Sequence, residues 1–243
     1  MRIVISSPPK MGNKWIKCLL SRVYDLKWVI GEDTPSTNID EFIEYMDAGK
    51  FEDNTIFHQH CKYKPALCDS IDRVPAHLVT IVRDPYDAFV SMYHWIQTRT
   101  DSDMQRGRIR TKERPRNVMY GKDIDDPAVL EFLSGPYGEH IRRADDWIHS
   151  KRAIVVRYED LHRDTAGTLT AIANQIEPVD PERISLAVEA CTVENMRNMS
   201  RRMSTHVRAA TVGDSRGKLD ESHLAIFREQ YGDLLASLGY EVR

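Results

Sequence analysis

SSPPKMGNKW, residues 6–15, follows directly on the apolar run Arg2-Ile3-Val4-Ile5 and leads into a stretch with helical apolar spacing. Two prolines, a lysine and a glycine end a short strand, and a helix begins after them. Such a strand–loop–helix corner is where α/β proteins collect phosphates, because backbone N–H groups of the loop and first helical turn converge on an anion. Gly12 permits the tight turn, Lys10 adds a point charge and Trp15 offers a ring face for stacking a base. The stretch is nevertheless not GxxxxGK[ST], the loop of nucleoside triphosphate binders. Its glycines are mostly missing and its lysine comes early.

Outward from this corner, strands are expected at 2–6, 54–58, 77–82 and 152–157. The continuous runs LVTIV and AIVV suit strands buried on both faces of a parallel sheet. Helices are expected at 12–24, 38–47, 85–97, 127–133, 138–149, 165–176, 181–190 and 220–237. Strands alternating with helices predict an α/β fold, a single domain over 1–243 with a central parallel sheet flanked by helices and a P-loop-like phosphate-binding loop. Ligands of such sheets lie at the carboxyl ends of the strands. Residues 98–126 break the alternation. Between Arg99 and Lys122 stand eight Lys or Arg and three Asp or Glu with almost no apolar periodicity, which reads either as a solvated mobile loop or as a lid over an anionic ligand.

The 243 residues carry 41% hydrophobic and 29% charged side chains and a formal net charge of −3. That balance excludes a globally polyanion-binding protein, so an anionic ligand has to be met by local cations, and no nucleic-acid partner is expected. The four cysteines match no disulfide framework and no usual zinc spacing, even with His58 and His60 near Cys61 and Cys68, so a reducing compartment and no metal site are expected. No apolar stretch reaches membrane-span length and the first strand leaves no room for a signal peptide, which together read as cytoplasmic.

Three further stretches gather polar groups at strand ends or loop tips. In VTIVRDPYDAFVSMYHW, residues 79–95, Arg83 ends a buried strand and Asp84-Pro85 is a helix start, with Ser91 two turns along. Taken alone, Asp84 as a cap and Arg83 in a structural ion pair explain it equally well. VVRYEDL, 155–161, is another strand ending in charge, and VRAATVGDSRGKLDE, 207–221, is a cationic loop before a helix.

In combination and order these stretches resemble the sulfotransferases that use 3′-phosphoadenosine 5′-phosphosulfate (PAPS). PKMGNKW is similar to their PKSGTTW loop, and VRDPYDAFVSMYHW to their R-[ND]-x-x-D-x-x-x-S-x-x-x-[WF] element. RYEDL matches YEDL, and VRAATVGDSR resembles RKGxxGDWK. The likeness runs from Ile3 to about Tyr240. It implies transfer of a sulfuryl group from PAPS to a hydroxyl or amine, with PAP as product and no metal required. Lys10 is implied at the bridging oxygen of the donor, Gly12, Asn13 and Lys14 along its 5′-phosphate, and Trp15 against adenine. Arg83 and Ser91 are implied on the 3′-phosphate together with Arg208, and Tyr158 at the adenine. ACTVENM, 190–196, is loosely similar to the family's TSFxxM and carries Thr192 into the donor set.

IFHQHCKYKPAL, 56–67, aligns with the family's K-T-H-L-P region and puts His60 on the catalytic histidine, a base suited to taking a hydroxyl proton near neutral pH. Lys10, His60 and Ser91 thus form the implied catalytic set. His58 has the same strand parity as His60, and local geometry does not separate them. Lys14 stands where the family has a hydroxyl residue, His58 where it has a lysine, and Ala209-Ala210 where it has Lys-Gly. The KxxxTVxxxE dimer signature is absent, which leaves the oligomeric state open. The acceptor reads only as a small molecule or natural product: phenol, sugar, glycopeptide or lipid. Two other readings remain on the residues alone, a nucleoside or small-molecule kinase and a non-catalytic relative that only binds the nucleotide.

Overall fold

The structure, a computed structural model, describes residues 1–29, 38–99, 115–199 and 210–243. Its frame is a five-stranded sheet in the order β2-β3-β1-β4-β5, with β1 at Arg2–Ser6, β2 at Lys27–Trp28, β3 at Thr55–Gln59, β4 at His77–Val82 and β5 at Ile154–Arg157. Every pairing is parallel. The centre is β1, where Ile3 lies opposite Ile56 of β3 and His77 of β4.

Side chains of a strand alternate between faces, and here both faces are covered. Ile3, Ile5, Ile56, Val79 and Ile81 join one core with α1 (Asn13–Val23) and α4 (Pro85–Gln97). Val4, Phe57 and Leu78 point the other way, into a smaller core with Phe42 and Met46 of α2 (Ile39–Asp47), Leu67 and Ile71 of α3 (Pro65–Arg73) and Trp147 of α6 (Gly138–His149). Two-sided burial is the reason the strands read as unbroken apolar runs. The remaining helices are α5 (Pro127–Ser134), α7 (Tyr158–Arg163), α8 (Thr165–Ile176), α9 (Pro181–Ala190), α10 (Val193–Asn198) and α11 (Glu221–Ser237). Their starts follow the chemistry of orphan N–H groups: Asn38, Asp84, Asp126, Asp164 and Asp220 cap α2, α4, α5, α8 and α11 with side-chain oxygens.

The parallel α/β architecture is as expected, with differences at its margins. The third strand runs one residue later than 54–58, and the last begins at Ile154 rather than 152. Four short elements escaped the pattern. The two residues of β2 are too few to show a period, and α7 starts at Tyr158, the residue directly after β5. In α3 only Pro65 at the first helical position announces a helix, and α10 is six residues long. Within the stretch 98–126, residues 100–114 lie outside the described ones. The following part is fastened to α4: the 3₁₀ turn Pro115–Met119 and its exit accept from Gln97 Nε2 at Met119 O (2.6 Å) and from Tyr93 OH at Lys122 O (2.9 Å), while Gly121 N donates to Gln97 Oε1 (2.9 Å). No helix among the described residues is long and apolar enough to cross a membrane.

The cysteines correct one expectation. Cys18 of α1 and Cys191, directly after α9, form a disulfide across a sequence separation of 173 residues. Cys61 and Cys68 stay reduced and buried, and burial pushes the Cys61 thiol up to about 12. A pair so distant has no spacing signature, and it removes the cysteine-based argument for a reducing compartment. Cross-linking so long a loop restricts the unfolded chain by about 5 kcal/mol in the chain-entropy account. Cys191→Ser is therefore expected to lower the urea midpoint of the oxidised protein to that of the wild type in dithiothreitol. The variant itself should be indifferent to reductant.

Candidate functional site

The loop between β1 and α1 is shaped by its own side chains. Ser7 donates its hydroxyl to Asn13 Oδ1, and Asn13 Nδ2 donates to Pro8 O at 2.9 Å. The Asn13 side chain is thus buried and occupied in holding the loop, and what this position can turn toward a ligand is its backbone N–H. Lys10 sits at φ 70° and Gly12 at φ 108°. A Cβ on Gly12 would lie 2.8 Å from Tyr158 Cδ2 and 3.0 Å from Ile81 Cδ1, so the glycine answers both a left-handed backbone and a close approach. Lys10 Nζ lies 5.6 Å from the Trp95 ring centroid. Lys14 and Trp15 stand half-buried on the first turn of α1, and the Trp15 ring meets Tyr158 edge-on at 5.7 Å.

Arg83 emerges from the end of β4 and is 7% exposed. Its guanidinium lies 4.4 Å over the Tyr158 ring, and Nη2 donates to Thr211 O at 2.9 Å. Arg83 Nε is enclosed and has no hydrogen-bond partner. A buried cation with an unused donor at the carboxyl edge of a parallel sheet is chemically suited to a dianion such as a phosphate. Ser91 lies two turns further along α4, half-buried. Burial also raises the Tyr158 phenol above its ordinary range, so it stays protonated. Arg83, Tyr158, Gly12 and Trp15 therefore belong to one corner of the molecule.

Asp87, one turn into α4, was not assigned a role from sequence. It is fully buried and accepts from Gly213 N (2.7 Å) and Ser215 N (2.8 Å), with Arg83 Nη2 at 3.8 Å. His162 of α7 adds a ring N–H to Ala210 O at 2.9 Å. These contacts bind the start of the late loop, 210–215, to the Arg83 corner. The Arg-x-x-x-Asp spacing was the signal that could have revealed Asp87, since it places a carboxylate one helical turn beyond the cation. Asp84 does cap α4, accepting from Tyr86 N and Asp87 N, and it also pairs with Arg243 at 2.5 Å. Thr192 is exposed, and its hydroxyl caps α10 by accepting from Asn195 N at 3.2 Å. Arg208 lies outside the described residues.

The two histidines of the β3 edge stand side by side, ring centroids 5.7 Å apart. His60 Nδ1 is 2.7 Å from Ser7 O. A carbonyl only accepts, so Nδ1 carries the proton of the neutral ring and Nε2 holds the lone pair. The same bond ties the histidine to the loop that carries Lys10. Arg143 of α6 donates from Nη1 to His60 O at 2.5 Å. Lys62 points elsewhere, into an exposed pair with Glu139 at 2.7 Å.

The family model for the sulfotransferase domain matches residues 1–239 of this chain. The chain belongs to the sulfotransferase family. Among curated relatives, the chain is 21% identical to cytosolic sulfotransferase 14 of Arabidopsis thaliana over 221 residues, covering 81% of this chain and 61% of that one. It is 23% identical to sulfotransferase 2A2 of Rattus norvegicus, covering 82% and 69%. The chain thus spans 61% of the length of the first plant relative. Among solved structures, a mouse sulfotransferase complexed with PAP superposes with a TM-score of 0.68 at 17% identity, covering 96% of this chain and 83% of that one. Retinol dehydratase in complex with androsterone and PAP gives 0.60 at 15% identity, covering 97% and 81%. The chain therefore shares its fold with these two structures.

Asp87→Ala should destabilise the protein, because the buried Ser215 N–H and the part-buried Gly213 N–H lose their acceptor, at ~1–3 kcal/mol for a fully buried donor. Urea denaturation is expected to show a loss in that range, and hydrogen exchange at Gly213 and Ser215 should rise well beyond the global change. Protection unchanged at those two amides would refute the clamp.

Proposed function

We propose that the protein transfers a sulfuryl group from PAPS to a hydroxyl or amine of a small-molecule acceptor. One observation carries the reading: a single hydrogen bond, His60 Nδ1 to Ser7 O at 2.7 Å, joins the candidate base to the candidate donor loop. It fixes the tautomer that leaves Nε2 able to take a proton, on the residue adjoining the loop that presents Lys10.

The residues fit a phosphosulfate nucleotide. Arg83, with its unused Nε, and Ser91 would hold the 3′-phosphate, and Trp15 and Tyr158 would bracket the adenine. Backbone N–H groups from Gly12 to Lys14 would hold the 5′-phosphate, with the half-buried Lys14 supplying a charge where relatives carry a hydroxyl. When bound, the donor supplies an activated sulfur centre whose leaving group is a phosphate. Lys10 then stabilises charge that develops on the departing oxygen, a role in which electrostatic preorganisation contributes most. His60 takes the acceptor proton at Nε2 and returns it to solvent later, while Ser7 O keeps the ring oriented. That curated relatives are named as sulfotransferases, and that solved neighbours are complexed with PAP, supports the donor assignment. The retinol and androsterone found in complexes of one neighbour support an acceptor of small-molecule size. Arg208 would join Arg83 on the 3′-phosphate, and Thr192 would add a further donor contact beside its cap of α10.

Donor binding is expected to depend on the 3′-phosphate. PAP should raise the melting temperature while ATP and adenosine 5′-phosphosulfate raise it much less, and Arg83→Ala should abolish the PAP shift without unfolding the protein. Equal stabilisation by ATP would favour a kinase instead.

The histidines separate in single-turnover sulfation at saturating PAPS. His60→Ala should lower the rate by about 10²–10⁴-fold with donor affinity nearly unchanged. His58→Ala should cost about 10-fold, as for a weaker charge-stabilising group. A dead His58→Ala beside an active His60→Ala would exchange their roles.

A further inference from the structure

Two carboxylates stand beside the arginine that would receive a phosphate. Arg83 is followed directly by Asp84, and Asp87 lies one turn into the same helix, fully buried. Each acid is met by a different arginine. Asp87 has Arg83 Nη2 at 3.8 Å. Asp84 has Arg243 Nη2 at 2.5 Å, and among the described residues no other cation lies within ion-pair distance of it.

Arg243 arrives from far along the chain. After α11, residues 240–243 return to the start of α4, where Arg243 N donates to Tyr86 OH at 3.0 Å and the guanidinium lies 4.3 Å over the Tyr86 ring. Arg228 of α11 donates to Arg243 O at 3.1 Å. Arg243 Nη1 donates to Ser215 Oγ at 2.9 Å, and Ser215 N donates to Asp87 Oδ1 at 2.8 Å. Asp84, Arg243, Ser215 and Asp87 thus close a ring of contacts over the first turn of α4. The late loop that offers Thr211 O to Arg83 runs through that ring.

The Asp84 carboxylate divides its two oxygens. Oδ1 accepts from Tyr86 N and Asp87 N, while Oδ2 takes the arginine. Burial raises the Asp84 carboxyl above its ordinary range, Arg243 opposes the rise and Asp87 adds to it. Glu159 also reaches this corner, accepting from Asp84 N at 2.8 Å and from Tyr240 OH at 3.0 Å, and Asp214 pairs with Lys218 at 2.7 Å. A dianion on Arg83 would meet these acids at short range, where a part-buried setting screens charge less than water does.

We propose that Arg243 is a positioning residue of the donor site: it neutralises Asp84 and ties the late loop to α4, so that Arg83 meets the 3′-phosphate in a field that favours a dianion. The proposal rests on the donor reading and adds to it a residue that acts through Asp84 and Ser215. A purely structural latch acts through folding alone, whereas a charge partner acts on the 3′-phosphate. The two differ in sign at Asp84. Asparagine caps a helix as well as aspartate does, so Asp84→Asn keeps the cap, removes the negative charge and leaves Arg243 in place.

PAP and AMP, which lacks the 3′-phosphate, are titrated by calorimetry into the wild-type, Arg243→Gln and Asp84→Asn proteins, with urea midpoints measured alongside. The wild-type protein is expected to hold PAP at least ~30-fold tighter than AMP. Arg243→Gln should cut that ratio by about 5-fold or more while AMP affinity stays within about 3-fold, and Asp84→Asn should raise the ratio by about 3-fold. An unchanged ratio in Arg243→Gln, or an Asp84→Asn ratio that stays level or falls, would overturn the proposal. The Asp84→Asn titration decides it even where Arg243→Gln does not fold. A wild-type protein that holds PAP no tighter than AMP would instead refute the placing of the 3′-phosphate on Arg83, and the role of Arg243 falls with it.

Discussion

Asp87 has no solvent contact, lies at the start of a helix whose N-terminus favours negative charge, and accepts from two backbone amides more than a hundred residues later in the chain. Most of the candidate donor corner depends on that carboxylate. It holds 213–215 against α4, and 211 in turn supplies the carbonyl that positions Arg83. The Arg83 guanidinium, so positioned, covers Tyr158, and Tyr158 sets the clearance at Gly12. A chain of contacts therefore runs from one buried acid to the phosphosulfate loop, and each link is a hydrogen bond or a packing contact with a defined geometry. Buried charge without such partners would be costly; here the two N–H donors and the adjacent arginine offset the desolvation.

The division of charge explains how a mildly acidic protein presents a cationic site. The formal net charge is −3, yet many acidic groups among the described residues serve as helix caps or stand in exposed pairs such as Arg152–Asp72 and Arg163–Asp160. Exposed pairs of that kind contribute little to stability. Away from those pairs, Arg83 stands at the carboxyl edge of the sheet with an unused Nε, where it adds to the attraction of an anionic ligand.

Much of this was legible in the sequence because its determinants are local. Apolar runs mark strands buried on two faces, Asp84-Pro85 marks the start of α4, and the loop after β1 declares itself by Pro, Lys and Gly between a strand and a helix. His58 lies in β3 and His60 just past its end, and it is a tertiary contact, His60 to Ser7, that singles out His60. What stayed hidden depends on residues far apart in the chain. The Asp87 clamp, the Arg243–Asp84 pair and the Cys18–Cys191 bond all join segments that no local window contains. The Asn13 and Thr192 side chains each bond to the backbone beside them, a use that their type and position alone do not announce.

The sheet order also has a consequence for biosynthesis. As the central strand, β1 finds its two neighbours at Thr55–Gln59 and His77–Val82, both later in the chain. On a ribosome adding roughly 5–20 residues per second, an apolar strand with two open edges waits several seconds before either partner exists. Parallel pairing of this kind is slow for entropic reasons as well. During that interval Ile3-Val4-Ile5 is the segment most in need of shielding by a chaperone, so yield in a cell should respond to translation speed between β1 and β4 more than to codons further on.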